Sequence, residues 1–369
     1  MITAKKTRSA VLEKFQRIVV QDFPLPSIGD EEALLKVEIA GVCGSDVGMY
    51  TGKTKRIEPF LPIIQGHEVV GHIVEAGETF CRRRGLEVGD RVVVEFAFGC
   101  GFCKPCLTGN YRLCKMKGRY GSYISCDTPP HLWGAFGEYL YLPPRAMVHK
   151  ISPFVPAEAA VLIPAVLGNA VRWLSQVGGV SLGQTVVIEG PGPQGLAGVV
   201  AARESGASQI IVTGLSRDRY RLEMAKTLGA DCVLEVDKED PVEVVANLTG
   251  GEMADVVMDV TGNPKGAILA LDLVREGGTV VLPGTYGTET LVSLPLDKAV
   301  LKEVRIQGVY SHDLRSVIPA IRLVESAKFP LEKLVTHRFS LEQVETAIQL
   351  VGGMIQDESL IKAVVDPNS

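Results

Sequence analysis

Over the first 150 positions apolar residues alternate or come in short strings. "EALLKVEIAGVCGSD" (residues 32–46) and "DRVVVEF" (90–96) are the clearest, with Gly and Pro turns between such stretches. A period of two over four to eight residues marks half-buried strands, so this part is predicted to be strand-rich. From about Pro156 the period lengthens: "AEAAVLIPAVLGNAVRWLSQV" (157–177) has helical spacing. Strands and helices then alternate. The strands are "QTVVIEG", "QIIVTG", "DCVLEV", "ADVVMDVTG" and "TVVLPG"; the helices are "QGLAGVVAARESG", "RDRYRLEMAKTLGA", "VEVVANLTG" and "PKGAILALDLVREGG". Such alternation predicts a parallel, doubly wound α/β sheet. Past Val309, "LRSVIPAIRLVESA" and "LEQVETAIQLVGG" read as amphipathic helices and "ESLIKAVVD" as a last strand.

A chain of 369 residues, 46% hydrophobic, is too long for one ordinary core and suits two domains. With 22% charged residues, 39 glycines and 21 prolines, the composition is that of a soluble α/β protein and not of a disordered one. The net charge is −5, and Lys and Arg are scattered apart from Arg82–Arg84, a run read as a solvated loop, so no nucleic-acid groove is expected. "MITAKKTRSAVLEKF" lacks the apolar run of a signal peptide, and no stretch approaches the roughly 18 apolar residues of a membrane span. The expected location is therefore a reducing cytoplasm, where structural disulfides are rare.

Against that background the eight cysteines matter. Four fall in "CGFCKPCLTGNYRLC", spaced C-x2-C-x2-C-x7-C. Close-spaced thiolates in a reducing compartment read as metal ligands. Cys100, Cys103, Cys106 and Cys114 form a closed four-thiolate set. Such a set leaves no open position on zinc, so it braces a lobe (97–116) and performs no chemistry.

A second motif follows a predicted strand and opens a helix. "VVIEGPGPQGLAG" places Gly190, Gly192 and Gly195 in G-x-G-x-x-G, whose glycines let the backbone approach a pyrophosphate at a helix N-terminus. Pro193 and Gln194, inside the turn, and Thr261, late in the strand "ADVVMDVTG", join the expected nicotinamide-dinucleotide set. The fingerprint wants an Asp or Glu about 20 residues on, to hold the ribose 2′-OH. Gly214 stands there, with Ser216, Arg217 and Arg219 close behind. An Arg accommodates a 2′-phosphate, so the expectation tilts toward NADP(H) over NAD(H).

Two further motifs, "GVCGSD" and "QGHEVVG", put Cys43 by glycines at a strand end and set His67-Glu68 into an apolar, Gly-rich stretch. Taken in order with "VGDRVVV", the four-cysteine lobe, "GAFGEY", "GPGPQG" and "GGTVVLPG", they resemble the zinc-dependent medium-chain alcohol and polyol dehydrogenases over nearly the whole chain. The resemblance implies a GroES-like catalytic domain (1–160 and a C-terminal return, 310–369) around a Rossmann domain (161–309). It also implies hydride transfer between an alcohol and NAD(H) or NADP(H), two zinc ions per chain, and a homodimer or homotetramer. By that likeness Cys43 and His67 are catalytic zinc ligands. Glu68 is the acid beside the metal, able to bind it. Ser45 carries the hydroxyl that starts the proton relay, and Asp46 is the carboxylate that orients the histidine. Lys362 is a basic residue for the pyrophosphate. Tyr50, Phe96, Leu132, Trp133 and Phe136 form an apolar substrate wall, which favours a secondary or cyclic alcohol over a sugar.

The chain departs from the family at two places. Ala165 stands where a further acid or cysteine ligand is usual, which leaves three protein ligands, a normal catalytic count. Gly48 stands where many relatives end the relay in a histidine. His72, His149, His312 and His337 are read as structural, and His131 as near the site. The alternatives are a polyol- or threonine-type dehydrogenase, a zinc-free quinone reductase of the same superfamily, which lacks these motifs, and a cofactor-binding protein that has lost its catalytic metal.

Overall fold

In the computed structural model, which describes residues 6–116, 118–287 and 289–369, the chain forms two compact units. One comprises Met1–Ala165 with Ile321–Ser369, the other Val166–Ala320. The return to the first unit thus falls at Ile321, later than the expected 310. Residues 310–315 are held by the helix at the start of the second unit. Arg172 Nη1 and Trp173 Nε1 each donate to the Ser311 carbonyl at 3.2 Å, and Gln176 Nε2 donates to Arg315 O at 2.9 Å.

The first unit is built on two sheets. Arg17–Pro24, Lys6–Lys14 and Ile63–Ile64 make a three-stranded antiparallel sheet. In the larger one the order is Val335–Phe339, Lys362–Val365, Ala33–Gly41, Glu68–Ala76, Arg91–Val94 and Val148–Lys150, with Tyr139–Leu142 also pairing with Ala33–Gly41. Alternation in "EALLKVEIA" places Leu35, Val37 and Ile39 in the core, each at most 1% exposed, as a half-buried strand requires. At its end the chain turns into a short helix, Gly44–Tyr50, capped by Cys43. The strand therefore stops at Gly41, four residues before the serine of "CGSD".

The second unit is a six-stranded parallel sheet. Its order is Cys232–Glu235, Gln209–Gly214, Thr185–Glu189, Ala254–Asp259, Val274–Leu282, Arg305–Gly308, or 3-2-1-4-5-6 in chain order. The continuous apolar runs follow from burial on both faces. The order reverses between Thr185–Glu189 and Ala254–Asp259, and ligands bind at the carboxyl ends of strands beside such a switch point. The helix expected over 264–278 stops at Leu273, because Val274 already pairs with Ala254 and Arg275 binds Asp255 at 2.7 Å. Ala157–Gly178 is one helix long and apolar enough to cross a membrane. Yet 83% of its most apolar window is buried inside the protein, as in a core helix.

Glu189 and Asp259 lie opposite each other at the switch point, 1% and 0% exposed. Asp259 accepts from the Thr261 amide (2.8 Å), the Thr261 hydroxyl (2.6 Å) and the Tyr286 hydroxyl (2.8 Å). Oε2 of Glu189 has no hydrogen-bond partner among the described residues. Burial, with Asp259 adding to it, pushes the Glu189 carboxyl well above the usual range. A folded pKa above the unfolded one gives stability that is complete below the unfolded value and lost as pH rises through the folded one. Glu189→Gln is therefore expected to flatten the decline in unfolding free energy from pH 5 to pH 9. The gain over wild type at the alkaline end is on the order of 1–3 kcal/mol. Urea titrations at several pH values check this; parallel profiles would contradict it.

Candidate active site

Two groups of side chains among the described residues have the make-up of metal sites. The first is the cysteine lobe. Its sulfurs lie 3.5 Å (Cys103–Cys106), 3.9 Å (Cys100–Cys106) and 3.9 Å (Cys103–Cys114) apart. Four sulfurs about 2.3 Å from a tetrahedral zinc lie roughly 3.8 Å from one another, whereas a disulfide needs about 2.05 Å. All eight cysteines are free. Main-chain N–H groups turn toward the sulfurs, among them Cys103 N to Cys100 Sγ at 3.4 Å and Cys100 N to Cys114 Sγ at 3.3 Å. Donors from the Phe102 and Cys103 main chain lower the Cys100 pKa to about 6, toward the thiolate a metal needs, while burial pushes the Cys106 thiol up to about 12.

The second group is Cys43, His67 and Glu68, whose donor atoms all lie within 4.8 Å of one another. The fold brings them together from two loops. Cys43 caps the helix Gly44–Tyr50, and its amide donates to Asp46 Oδ2 at 2.9 Å. Glu68 opens a strand that pairs beside Ala33–Gly41, in register Gly41↔Glu68. Asp46 is fully buried, with Oδ1 3.7 Å from His67 Nδ1. That leaves Nε2 facing the Ser45 hydroxyl at 3.4 Å. Burial works against the charged ring, but Asp46, then Cys43 and Glu68, outweigh it and raise the His67 pKa to about 9. A pocket that pulls a proton this strongly onto imidazole has the negative potential a cation would neutralise.

The donor set fits zinc: a soft sulfur, an imidazole and a carboxylate, three protein ligands with room for water or substrate. Oε1 of Glu68 is buried with no hydrogen-bond partner among the described residues, a lone pair a metal would satisfy. Its other oxygen pairs with the Lys362 ammonium, itself 3% exposed, which also donates to Val42 O at 2.8 Å. Lys362, expected at a pyrophosphate, is engaged by Glu68. No local pattern signals this pair, because the partners sit at opposite ends of the chain. Gly41 makes room for it: a Cβ there would come within 2.1 Å of Glu68 Oε2. The cluster contains no donor from residue 165, as Ala165 requires.

The expected substrate wall divides. Phe96 packs edge-on against His67, ring centroids 6.3 Å apart, and stands by the cluster. Leu132 and Phe136 are 0% exposed core residues. Tyr50 is buried, donating to Glu345 Oε1 at 2.8 Å and accepting from Gln349 at 3.1 Å. Trp133 is half-buried; it donates to Thr128 O and its ring packs against Tyr141. These four serve packing, which aromatic spacing alone does not separate from a binding wall. His131 Nδ1 lies 2.7 Å from Cys126 O, and His149 pairs with Glu95 at 2.8 Å. His312 faces Asn169 at 3.1 Å, and His337 faces Asp357 at 3.1 Å.

In the second unit, Gly190 has φ +103°, and a Cβ at Gly195 would sit 1.9 Å from the Gly190 carbonyl, so turn and helix meet only because both are glycine. Gly192 caps the helix Pro193–Glu204, and Gln194 Oε1 lies 3.5 Å from Asn169 Nδ2. Thr261 binds Asp259, as above. Gly214 ends its strand; a Cβ there would come within 2.9 Å of Pro191 in the glycine turn. Ser216 is held by Asp237, which the sequence pattern did not single out. Arg219 binds Glu235 at 3.1 Å, and Arg217 is exposed with no ion pair among the described residues.

A GroES-like unit with a Cys-His-Glu cluster and a second unit with a dinucleotide turn together define a zinc-type dehydrogenase. Residues 29–153 match the family model of the alcohol dehydrogenase GroES-like domain, and residues 193–326 that of the zinc-binding dehydrogenase domain. The chain is 37% identical over 366 residues to a probable alcohol dehydrogenase of Mycobacterium tuberculosis, covering 98% of each. It is 34% identical over 337 residues to an L-threonine 3-dehydrogenase of Bacillus subtilis, covering 90% of this chain and 91% of that one. The crystal structure of an alcohol dehydrogenase from Thermotoga maritima superposes with a TM-score of 0.89 at 29% identity, covering 98% of this chain and 100% of that one. The chain belongs to the zinc-type medium-chain alcohol dehydrogenases and is an oxidoreductase acting with zinc and a nicotinamide cofactor.

Proposed function

We propose that the chain interconverts a secondary or cyclic alcohol and its ketone, with one zinc at Cys43, His67 and Glu68 and a second at Cys100, Cys103, Cys106 and Cys114. The observation that carries this is the convergence of three different donor atoms within 4.8 Å, beside a serine hydroxyl. A zinc ion there would supply Lewis-acid polarisation of the alcohol oxygen, and the nicotinamide ring would exchange the hydride.

The chain's own groups do the rest. Asp46 Oδ1 lies 3.7 Å from His67 Nδ1, a charge beside that nitrogen which favours Nε2 as the atom left for the metal. Ser45 holds its hydroxyl at the same nitrogen's edge, where it can accept the substrate proton and pass it to solvent, since Gly48 offers no histidine to continue the relay. Phe96 gives the site an apolar side, which supports a carbon-rich substrate over a polyol. Eight unpaired cysteines suit a reducing compartment such as the cytoplasm.

The test is a panel of primary, secondary and cyclic alcohols, polyols and L-threonine, run with zinc-loaded protein and both NAD+ and NADP+. Fastest reduction of NAD+ or NADP+ with secondary or cyclic alcohols as hydride donors supports the reading. A clear preference for L-threonine or a polyol would replace the substrate class. No turnover with any compound would favour a cofactor-binding protein without catalysis.

A further inference from the structure

The second strand of the parallel sheet ends at Gly214 without the carboxylate that holds an adenosine ribose. The third strand supplies one at the same edge. Asp237, just past Cys232–Glu235, accepts from the Ser216 amide at 2.8 Å through Oδ1 and from the Ser216 hydroxyl at 2.5 Å through Oδ2. Val236 N also donates to Gly214 O at 2.9 Å, so the two strand ends are tied together. We propose that Asp237 is the ribose-side specificity residue of this chain and that it selects NAD(H) over NADP(H). The inference rests on the dehydrogenase reading above and reverses the cofactor preference expected from Ser216 and Arg217.

The chemistry runs as follows. A 2′-phosphate needs donors, and the two that Ser216 offers, amide and hydroxyl, already point at a carboxylate. Arg219 is spent on Glu235, leaving Arg217 as the one of these two arginines with no ion pair among the described residues. A phosphate carrying about two negative charges would have to displace Asp237 or sit against it, and like charges at contact distance repel strongly where water is partly excluded. A ribose diol has the opposite need. Each Asp237 oxygen receives one bond from Ser216, and a carboxylate has about four lone-pair positions, so it can still accept from a sugar hydroxyl. Asp237 is exposed and thus reachable by a ligand, and its Ser216 bonds hold its pKa below the usual value, keeping it charged at neutral pH.

The test is direct binding of NADH and NADPH to the full-length, zinc-loaded protein, followed by nicotinamide fluorescence and calorimetry, so no alcohol substrate is needed. Wild type is expected to bind NADH at least about tenfold tighter than NADPH, a margin set by one acid at the ribose. Asp237→Asn and Asp237→Ser are each expected to narrow that ratio about tenfold or reverse it, mainly through tighter NADPH. Adding Arg217→Ala to either should then weaken NADPH more than NADH. Circular dichroism and zinc content confirm that the variants are folded. Wild type preferring NADPH, or both Asp237 variants keeping the wild-type ratio, would overturn the proposal. Failure of folded wild type to bind either dinucleotide would remove the dehydrogenase reading itself, and this proposal with it.

Discussion

Cys43→Ala is expected to leave one zinc per chain where wild type is expected to load two, and to lower alcohol oxidation by about a thousandfold or more. Cys43 is one of three donors within 4.8 Å, and Ala165 provides no replacement. Two remaining protein ligands fall short of the three that catalytic zinc sites keep. Lewis-acid assistance is worth several kcal/mol, and each 1.36 kcal/mol is about a factor of ten in rate, which sets the size of the loss. The cysteine lobe is the internal control, because its four sulfurs form a closed set of their own. Elemental analysis after dialysis against zinc, with steady-state rates on the best alcohol, checks both parts. Two zincs in both proteins would show that Cys43 is not a ligand. One zinc in wild type would show that only the lobe loads, and the proposed site would be wrong.

Lys362→Met should have the second-largest effect, on stability. The ammonium and the Glu68 carboxylate are 3% and 0% exposed, and each depends on the other's charge. Breaking a buried pair from one side strands a charge and costs roughly 3–5 kcal/mol. Met keeps the length of the side chain, so lost packing adds little. The variant is therefore expected to lose about 3–5 kcal/mol against wild type when both are stripped of metal, and less when both are zinc-loaded, since the ion can take the carboxylate. Glu68→Gln combined with Lys362→Met should recover part of the loss, because neither partner is then left charged. Urea unfolding of the set measures all of this. A loss under about 1 kcal/mol in metal-free protein would mean the pair is not a buried ion pair in solution.

What was legible in the chain follows from range. The strand Thr185–Glu189, the glycine turn and the helix Pro193–Glu204 are each set by neighbours a few residues apart, and periodicity with glycine placement marks them directly. The cysteine lobe is equally local: its ligands fall within fifteen residues, and their spacing already implies a closed site. Cys43, His67 and Glu68 carry a weaker local signal, and only the order of motifs over the whole chain brought them together. The expected aromatic wall divides for a related reason. Tyr50, Leu132, Trp133 and Phe136 have the composition of a pocket, but burial is a property of what surrounds a side chain, and strands far apart in sequence enclose Tyr50, Leu132 and Phe136 and cover part of Trp133.

By itself, then, the sequence determined the class of fold, the dinucleotide turn and the four-cysteine lobe, because each depends on short-range spacing, and it named candidate ligands for a second metal from the order of its motifs. Only the tertiary structure decided that Lys362 answers Glu68, that Asp46 faces His67 Nδ1, that residues up to Ala320 belong with the parallel sheet, and that Asp237 closes on Ser216. The three pairings each join residues at least 21 positions apart that folding, and not local spacing, brings together, and the boundary at Ala320 depends on which sheet the chain packs against.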